Sequence, residues 1–157
     1  MKRTEHALLL PYTFDPTHSG ANYSFDGEHW INAGEFAEVI TKDVLGYEPR
    51  KEPNTRYDVS SDIEPIRTSV KSSRFTLVNM RLDDTFEESV DHYFKTTHST
   101  QWIYTVVTDD TVLLYWMNAA EFRDFLYTFC YLNERQVVRC RATSGKMLRW
   151  LEGRARD

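Results

Sequence analysis

The chain has 157 residues, of which 41% are hydrophobic and 14% aromatic, and its formal net charge is −5. These values exclude a disordered chain and a generally basic surface that would attract nucleic acid, and they are typical of one globular domain. No apolar run approaches the length of a transmembrane helix, and the apolar stretch after Met1 is too short for a signal peptide. We therefore expect a single domain, 1–157, in the cytoplasm and without membrane contact.

The N-terminal region, residues 1–32, is predicted to form an irregular arm. Pro, Gly, Asn, Asp and Ser are frequent in residues 11–32, which favours turns over regular elements. Five aromatic residues of this segment need burial: Tyr12, Phe14, Tyr23, Phe25 and Trp30. The arm is therefore expected to lie on the core and not to act as a linker.

A helix followed by two strands is predicted in residues 33–78. Asn32 is a suitable N-cap, apolar residues recur at helical spacing in 36–45, and Gly46 ends the pattern. Residues 55–63 alternate as a strand does, and Pro65 marks a turn. Residues 67–78 form the next predicted strand, which we expect to be broken near Ser72.

The second half of the chain predicts three helices and three strands. A helix from Asp83 to about residue 95 precedes strands at 102–107 and 112–117, which a short turn joins as a hairpin. Asn118 and Glu121 resemble a capping box at the start of the next helix. A strand at 136–142, a helix from Ser144 to 152 and a charged tail at 153–157 complete the prediction.

These elements predict an α/β (α+β) single domain with a mixed β-sheet flanked by helices, its core spanning 33–152. The two cysteines, Cys130 and Cys140, lie in apparently regular segments without neighbouring ligand residues. One disulfide between them is possible, but two buried thiols are favoured.

The segment that most suggests chemistry is the hairpin of residues 57–71. Residues that are directly opposed on two antiparallel strands share a face. A turn centred on residues 64 and 65 gives three opposed polar pairs, namely Asp58 with Lys71, Ser60 with Ser69 and Asp62 with Arg67. A face with carboxylates and a lysine suits phosphodiester cleavage, because carboxylates hold Mg²⁺ and lysine stabilises developing charge.

This hairpin, preceded by a helix that carries Glu35 and Glu38, resembles the PD-(D/E)xK phosphodiesterase superfamily. That pattern is an aspartate on one strand and an acidic-x-Lys triplet on the next, often with a glutamate from the preceding helix. The resemblance implies a restriction-endonuclease-like core and a metal-dependent endonuclease that acts on DNA with Mg²⁺ or Mn²⁺. It assigns Asp58 and Glu38 as metal ligands and Lys71 as the catalytic lysine. Glu38 is preferred to Glu35 because it lies nearer the apolar face of the helix.

The triplet departs from the superfamily pattern at its acidic position, which is Ser69. Asp62 or Glu64 is then expected to supply the missing carboxylate from elsewhere on the hairpin, and Asp62 is counted as a metal ligand and catalytic residue. The alternative reading is a solvated hairpin face, in which Asp58 with Lys71 forms a surface ion pair of small energy. On that reading the chain is a catalytically inactive nuclease-fold protein that binds a protein partner.

Two further features bear on partners. Basic residues are frequent near the C-terminus, where they can contact phosphates or serve as a solubilising tail: Arg135, Arg139, Arg141, Lys146, Arg149, Arg154 and Arg156. A small nuclease needs two sites to cut two strands, so a homodimer is also considered.

Overall fold

The structure is a computed structural model, and it describes residues 1–7, 12–18, 20–46, 48–49, 59–60, 67–72, 76–77, 85–107, 111–134, 138–140 and 144–155. The helices are α1 (Ala33–Leu45), α2 (Phe86–Thr96), α3 (Ala119–Phe129) and α4 (Ser144–Arg154). The strands are β1 (Lys2–Ala7), β2 (Thr13–Phe14), β3 (Tyr23–Ser24), β4 (Glu48–Pro49), β5 (Val59–Ser60), β6 (Arg67–Ser72), β7 (Thr76–Leu77), β8 (Gln101–Val107), β9 (Thr111–Met117), β10 (Cys130–Leu132) and β11 (Val138–Cys140).

The largest sheet has six strands in the order β1-β9-β8-β6-β5-β4. Strand β6 pairs with β8 in parallel, while every other neighbouring pair in this sheet is antiparallel. A second sheet has the order β10-β11-β7, and β2 pairs with β3. The predicted mixed α/β architecture with helices beside the sheet is therefore confirmed.

Helices α2, α3 and α4 cover one face of the large sheet. The apolar side chains of β8 and β9 on this face alternate with those on the other face, as the two-residue period of a strand requires. They form the larger core cluster together with residues of α3 and α4: Trp102, Tyr104, Leu113, Tyr115, Met117, Phe122, Phe125, Leu126, Met147 and Leu151. Burial of these aromatic and aliphatic groups is the main stabilising contribution that the described residues show.

Helix α1 covers the opposite face. Phe36 and Ile40 of α1 pack with Ile103, Val112 and Leu114 of β8 and β9. Part of the N-terminal arm packs on this cluster, as three of its five aromatic residues predict, whereas Phe14 is 52% exposed. Rings of the arm stack directly on the ring of Phe36: those of Tyr12, Tyr23 and Phe25.

Local capping explains where the helices begin and end. Asn32 accepts a hydrogen bond from the Glu35 amide at the start of α1, and Gly46 ends that helix with a positive φ of 68°. Asn118 and Glu121 form the predicted capping box of α3. Helix α2 begins with a capping box that Thr85 forms with Glu88, two residues after the predicted start at Asp83.

Several boundaries differ from the sequence prediction. Residues 2–7, assigned to the irregular arm, form edge strand β1, because their backbone pairs with β9 along its whole length. Strands β4 and β10 were not predicted. The charged tail was predicted from residue 153, but α4 continues to Arg154, and the Ala155 amide bonds to the Leu151 carbonyl. The break predicted near Ser72 is confirmed, since β6 ends there and β7 belongs to the second sheet.

A hydrogen-bonded turn in the arm yields a pH-dependent prediction. The Asp26 carboxylate accepts bonds from the Glu28 and His29 amides at 2.8 Å and contacts His29 Nδ1 at 2.6 Å. The backbone bond from His29, above all, lowers the pKa of Asp26, and the bond to Asp26 raises the pKa of His29. The contribution of the pair is therefore present between the ordinary pKa values of Asp and His. It is lost as pH rises through the raised pKa of His29 and as pH falls through the lowered pKa of Asp26.

We expect Asp26→Asn to lower the pKa of His29 towards its ordinary value of 6.5, because the charged acceptor is removed. NMR titration of the His29 ring protons measures this shift. Asp15→Asn, which removes a carboxylate beside His18 in the same arm, is the matched control and should leave His29 unchanged. An unaltered pKa of His29 in Asp26→Asn would contradict the assigned interaction.

Within the described residues, none of the helices combines the length and the apolar character needed to cross a membrane.

Candidate functional site

The first and last positions of the predicted triplet, Ser69 and Lys71, lie in β6 in the interior of the large sheet. Strand β5 flanks β6 on one side and β8 flanks it on the other. The parallel register pairs Ser69 with Trp102 and Lys71 with Tyr104. The candidate lysine therefore belongs to a strand that pairs with β8 along its length from Thr68 to Ser72, while β5 pairs with its first two residues.

The predicted hairpin exists, but its register differs from the predicted one. Val59 pairs with Thr68 and Ser60 pairs with Arg67, whereas the sequence analysis placed Ser60 opposite Ser69. The pairing is thus shifted by two positions. A shift of one position would exchange the two faces, but a shift of two keeps them, so among the described residues Ser60 still shares a face with Arg67 and Ser69.

Asp58 and Asp62, the hairpin carboxylates assigned to the metal, lie outside the described residues. Their roles stay predictions from the sequence. In the part of the chain that the structure describes, no group of three or more His, Cys, Asp or Glu residues is placed to hold a metal ion. Ser69 and Lys71 offer a hydroxyl and an ammonium group, which are poor ligands for Mg²⁺. A magnesium site in this region therefore needs carboxylates that lie outside the described residues, such as Asp58 and Asp62.

The two candidate glutamates of α1 differ in their surroundings. Glu35 is exposed in the first turn, and its carboxylate accepts a hydrogen bond from the Asn32 side chain at 3.1 Å. It therefore takes part in capping the helix. Glu38 is one turn further along and half-buried. The preference for Glu38 as the inward residue agrees with this geometry, while its role as a ligand is still a prediction.

The sheet register separates the α1 glutamates from the Lys71 position. Helix α1 contacts β6, and its Phe36 packs with Ile103, the register partner of Val70. Tyr104, the register partner of Lys71, lies in the cluster on the opposite face, where it contacts Phe125 of α3. Because paired residues of neighbouring strands share a face, the Lys71 position is on the side away from α1. The structure thus brings α1 and β6 together but not Glu38 and the Lys71 position onto one face.

Two buried hydroxyl groups on the α1 side were missed by sequence reasoning. Thr41 of α1 and Thr105 of β8 are buried, and neither Oγ1 atom has a hydrogen-bond partner in the described structure. Thr105 pairs with Ser72 at the end of β6. A buried hydroxyl without a partner costs about 1–3 kcal/mol. A single threonine at a position that faces the core gives no sign in the sequence that its hydroxyl is buried without a hydrogen-bond partner.

A polar network that joins the buried Tyr115 to two more exposed side chains links three elements and was also missed. The Tyr115 hydroxyl donates to the Glu152 carboxylate of α4, and the Arg3 guanidinium of β1 donates to the same carboxylate. Burial and the bond to Glu152 raise the pKa of Tyr115, so its hydroxyl stays protonated. The network joins β1 and α4 to β9, which is a structural role.

The C-terminal basic residues are partly engaged within the chain. Arg154 forms an ion pair with Asp124 at 2.7 Å and lies over the Trp150 ring at 4.5 Å. Lys146 and Arg149 are exposed on α4. Arg135, Arg141 and Arg156 lie outside the described residues. The described basic residues of the C-terminal region therefore form only a small exposed basic surface, on α4 and at Arg139 of β11.

Comparisons with family models, with curated proteins and with solved structures gave no match to this chain. Its functional interpretation therefore depends on the residues, the register and the burial described above.

Proposed function

We propose that this chain is a metal-dependent, restriction-endonuclease-like protein that acts on DNA phosphodiesters with Mg²⁺ or Mn²⁺. The observation that carries the proposal is the placement of β6. This strand bears Lys71, pairs antiparallel with β5 and lies against α1, the helix that precedes both strands. The same order of helix, hairpin and x-Lys strand is what the resemblance to the PD-(D/E)xK superfamily implies. The cytoplasmic location expected from the sequence belongs to this proposal.

The proposed roles follow from the chemistry of the residues. Asp58 and Asp62 would hold the metal ion through carboxylate oxygens. The bound metal would polarise the phosphate and lower the pKa of a water molecule. Lys71 would stabilise the charge that develops on the phosphate or orient the attacking water. Because the Lys71 position lies away from α1, the hairpin carboxylates are better placed by the strand alternation to act with it than Glu38 is.

A metal titration with a parallel cleavage assay tests the proposal. Mg²⁺ and Mn²⁺ are titrated into the wild type and Asp58→Ala by calorimetry, and nicking of a supercoiled plasmid is followed in the same buffers. We expect the wild type to bind metal and nick the plasmid, and Asp58→Ala to lose both. Asp43→Ala, which removes an exposed carboxylate of α1, is the matched control and should retain both.

Absence of both metal binding and nicking in the wild type would reject the nuclease proposal. Glu38→Gln is measured beside Asp58→Ala, since a loss of metal binding in Glu38→Gln would establish the helix glutamate as a ligand. The proposed homodimer is tested separately by the mass of the chain in solution.

A second candidate is a catalytically inactive nuclease-fold protein that engages a protein partner. Three observations favour it. The acidic position of the triplet is Ser69, and the register places the Lys71 position on the face away from Glu38. The net charge of −5 also gives no general attraction to DNA.

Ser69→Asp distinguishes the two candidates. If Asp58 and Lys71 flank a metal position, a carboxylate at residue 69 restores the missing ligand and should raise Mg²⁺ affinity about tenfold, because ligand charge strengthens binding. Ser69→Asn has nearly the same shape without the charge and should leave the affinity unchanged. Calorimetry measures both. Equal Mg²⁺ affinity in Ser69→Asp and Ser69→Asn would count against a metal position beside β6.

A further inference from the structure

The two cysteines, which are distant from the candidate nuclease hairpin in the sequence, are brought together by the second sheet. Cys130 is the first residue of β10, and Cys140 is the last residue of β11. The antiparallel register pairs them directly with each other. Neither residue is in a disulfide, and Cys140 is only 2% exposed while Cys130 is partly exposed. The sequence analysis favoured two buried thiols but did not predict that they face each other.

Directly opposed residues of antiparallel strands form either hydrogen-bonded pairs or non-hydrogen-bonded pairs, and the Cα atoms are closer in the second kind. The backbone at Cys130 indicates a non-hydrogen-bonded pair. Its N–H donates to the Leu126 carbonyl at the end of α3 and is therefore not available to β11. A directly opposed pair that does not exchange both backbone hydrogen bonds has its Cα atoms roughly 4.5 Å apart, which is within the range that a disulfide spans. A side-chain hydrogen bond with Cys140 is among the causes that raise the pKa of Cys130, which agrees with the direct pairing of the two residues in the register.

We propose that Cys130 and Cys140 form a reversible oxidation site, which closes an intrachain disulfide on reaction with a small-molecule disulfide such as glutathione disulfide. The backbone need not move for this bond to form, because the cysteines are cross-strand neighbours. The disulfide would connect the end of α3 to β11, which also pairs with β7.

The reaction proceeds by two thiol–disulfide exchanges. The thiolate of Cys130, the more exposed residue, attacks one sulfur of glutathione disulfide and releases a first glutathione thiolate. The thiolate of Cys140 then attacks the Cys130 sulfur and releases the second. The two cysteine protons end on the two glutathione molecules, so two thiols and one disulfide give one disulfide and two thiols. The hydrogen bond to Cys140 and burial raise the pKa of Cys130, so we expect the reaction to accelerate as pH rises.

Intact-mass measurement after incubation of the folded chain with glutathione disulfide tests the proposal. We expect the wild type to lose about 2 Da, and a Cys130–Cys140 linked peptide to appear after digestion, both reversed by dithiothreitol. Cys140→Ser should instead retain a glutathione adduct on Cys130, since no second thiol can displace it. Cys130→Ser should form no cross-link.

The proposal is overturned if the folded wild type keeps two free thiols, or holds a stable glutathione adduct on Cys130 without a cross-link. Complete oxidation of the same sample in guanidinium chloride verifies that the reagent is active. The decisive result concerns the wild-type chain, so it does not depend on whether either serine variant folds.

Discussion

Phe122→Ala is expected to lower the free energy of unfolding by about 4 kcal/mol, within the range of large-to-small substitutions of buried aromatic residues. Phe122 is 1% exposed and lies in the centre of the larger core cluster. Its ring stacks on that of Trp102 with centroids 5.2 Å apart and contacts Phe94 and Phe125. Removing the ring leaves a cavity between α3 and the sheet, which rigid neighbours on three elements cannot fill.

Urea denaturation followed by circular dichroism measures this loss from the midpoint and slope of the transition. Tyr127→Ala is the matched control, because it truncates an aromatic residue of the same helix that is 43% exposed. Among the described residues, the Tyr127 ring contacts only the ring of Phe86. We therefore expect its removal to lower the free energy of unfolding by about 1 kcal/mol or less. Equal losses in the two variants would show that α3 does not pack on the sheet as described.

Lys71→Met is expected to lower metal-dependent plasmid nicking about 10²–10³-fold while changing Mg²⁺ affinity little. This expectation depends on the proposed nuclease function. A lysine acts on the phosphate or the attacking water and is not a metal ligand, so its loss should separate cleavage from metal binding. Methionine keeps most of the length of the side chain and removes only the charge.

The measurement compares initial nicking rates at saturating Mg²⁺ with calorimetric affinities from the same preparations. Lys95→Met, which removes an exposed charge in the last turn of α2, is the matched control and should nick at the wild-type rate. Full nicking by Lys71→Met would remove Lys71 from the catalytic assignment. A parallel loss of metal affinity would instead indicate that the substitution disturbs the β5–β6 hairpin.

Elements with a strong local signal were predictable. The start and end of α1, at Asn32 and Gly46, were predictable because capping and a left-handed φ involve only neighbouring residues. The Asn118 capping box is equally local. Strands β8 and β9 were found because their long runs of β-branched and aromatic residues suit a buried sheet.

Elements that depend on a distant partner were missed or misplaced. β1 consists of polar residues such as Lys2 and Glu5 without an apolar alternation, and it is a strand because β9 offers it a backbone to pair with. β10 follows directly on α3, at a point where nothing in the local composition indicates a strand. The observed register of β5 and β6 differs from the predicted register by two positions. The composition of a turn limits which residues are opposed but does not decide it.

The candidate site divides in the same way. The sequence by itself determined which residues have suitable chemistry, since the identities of Asp58, Ser69 and Lys71 define what each could bind or donate. Only the tertiary structure decided that β6 pairs in parallel with β8 and that the Lys71 position lies away from α1. It alone also opposed Cys130 to Cys140. The reason is physical, because helix caps and strand propensity act over a few residues, whereas strand order and register depend on contacts between segments far apart in the chain.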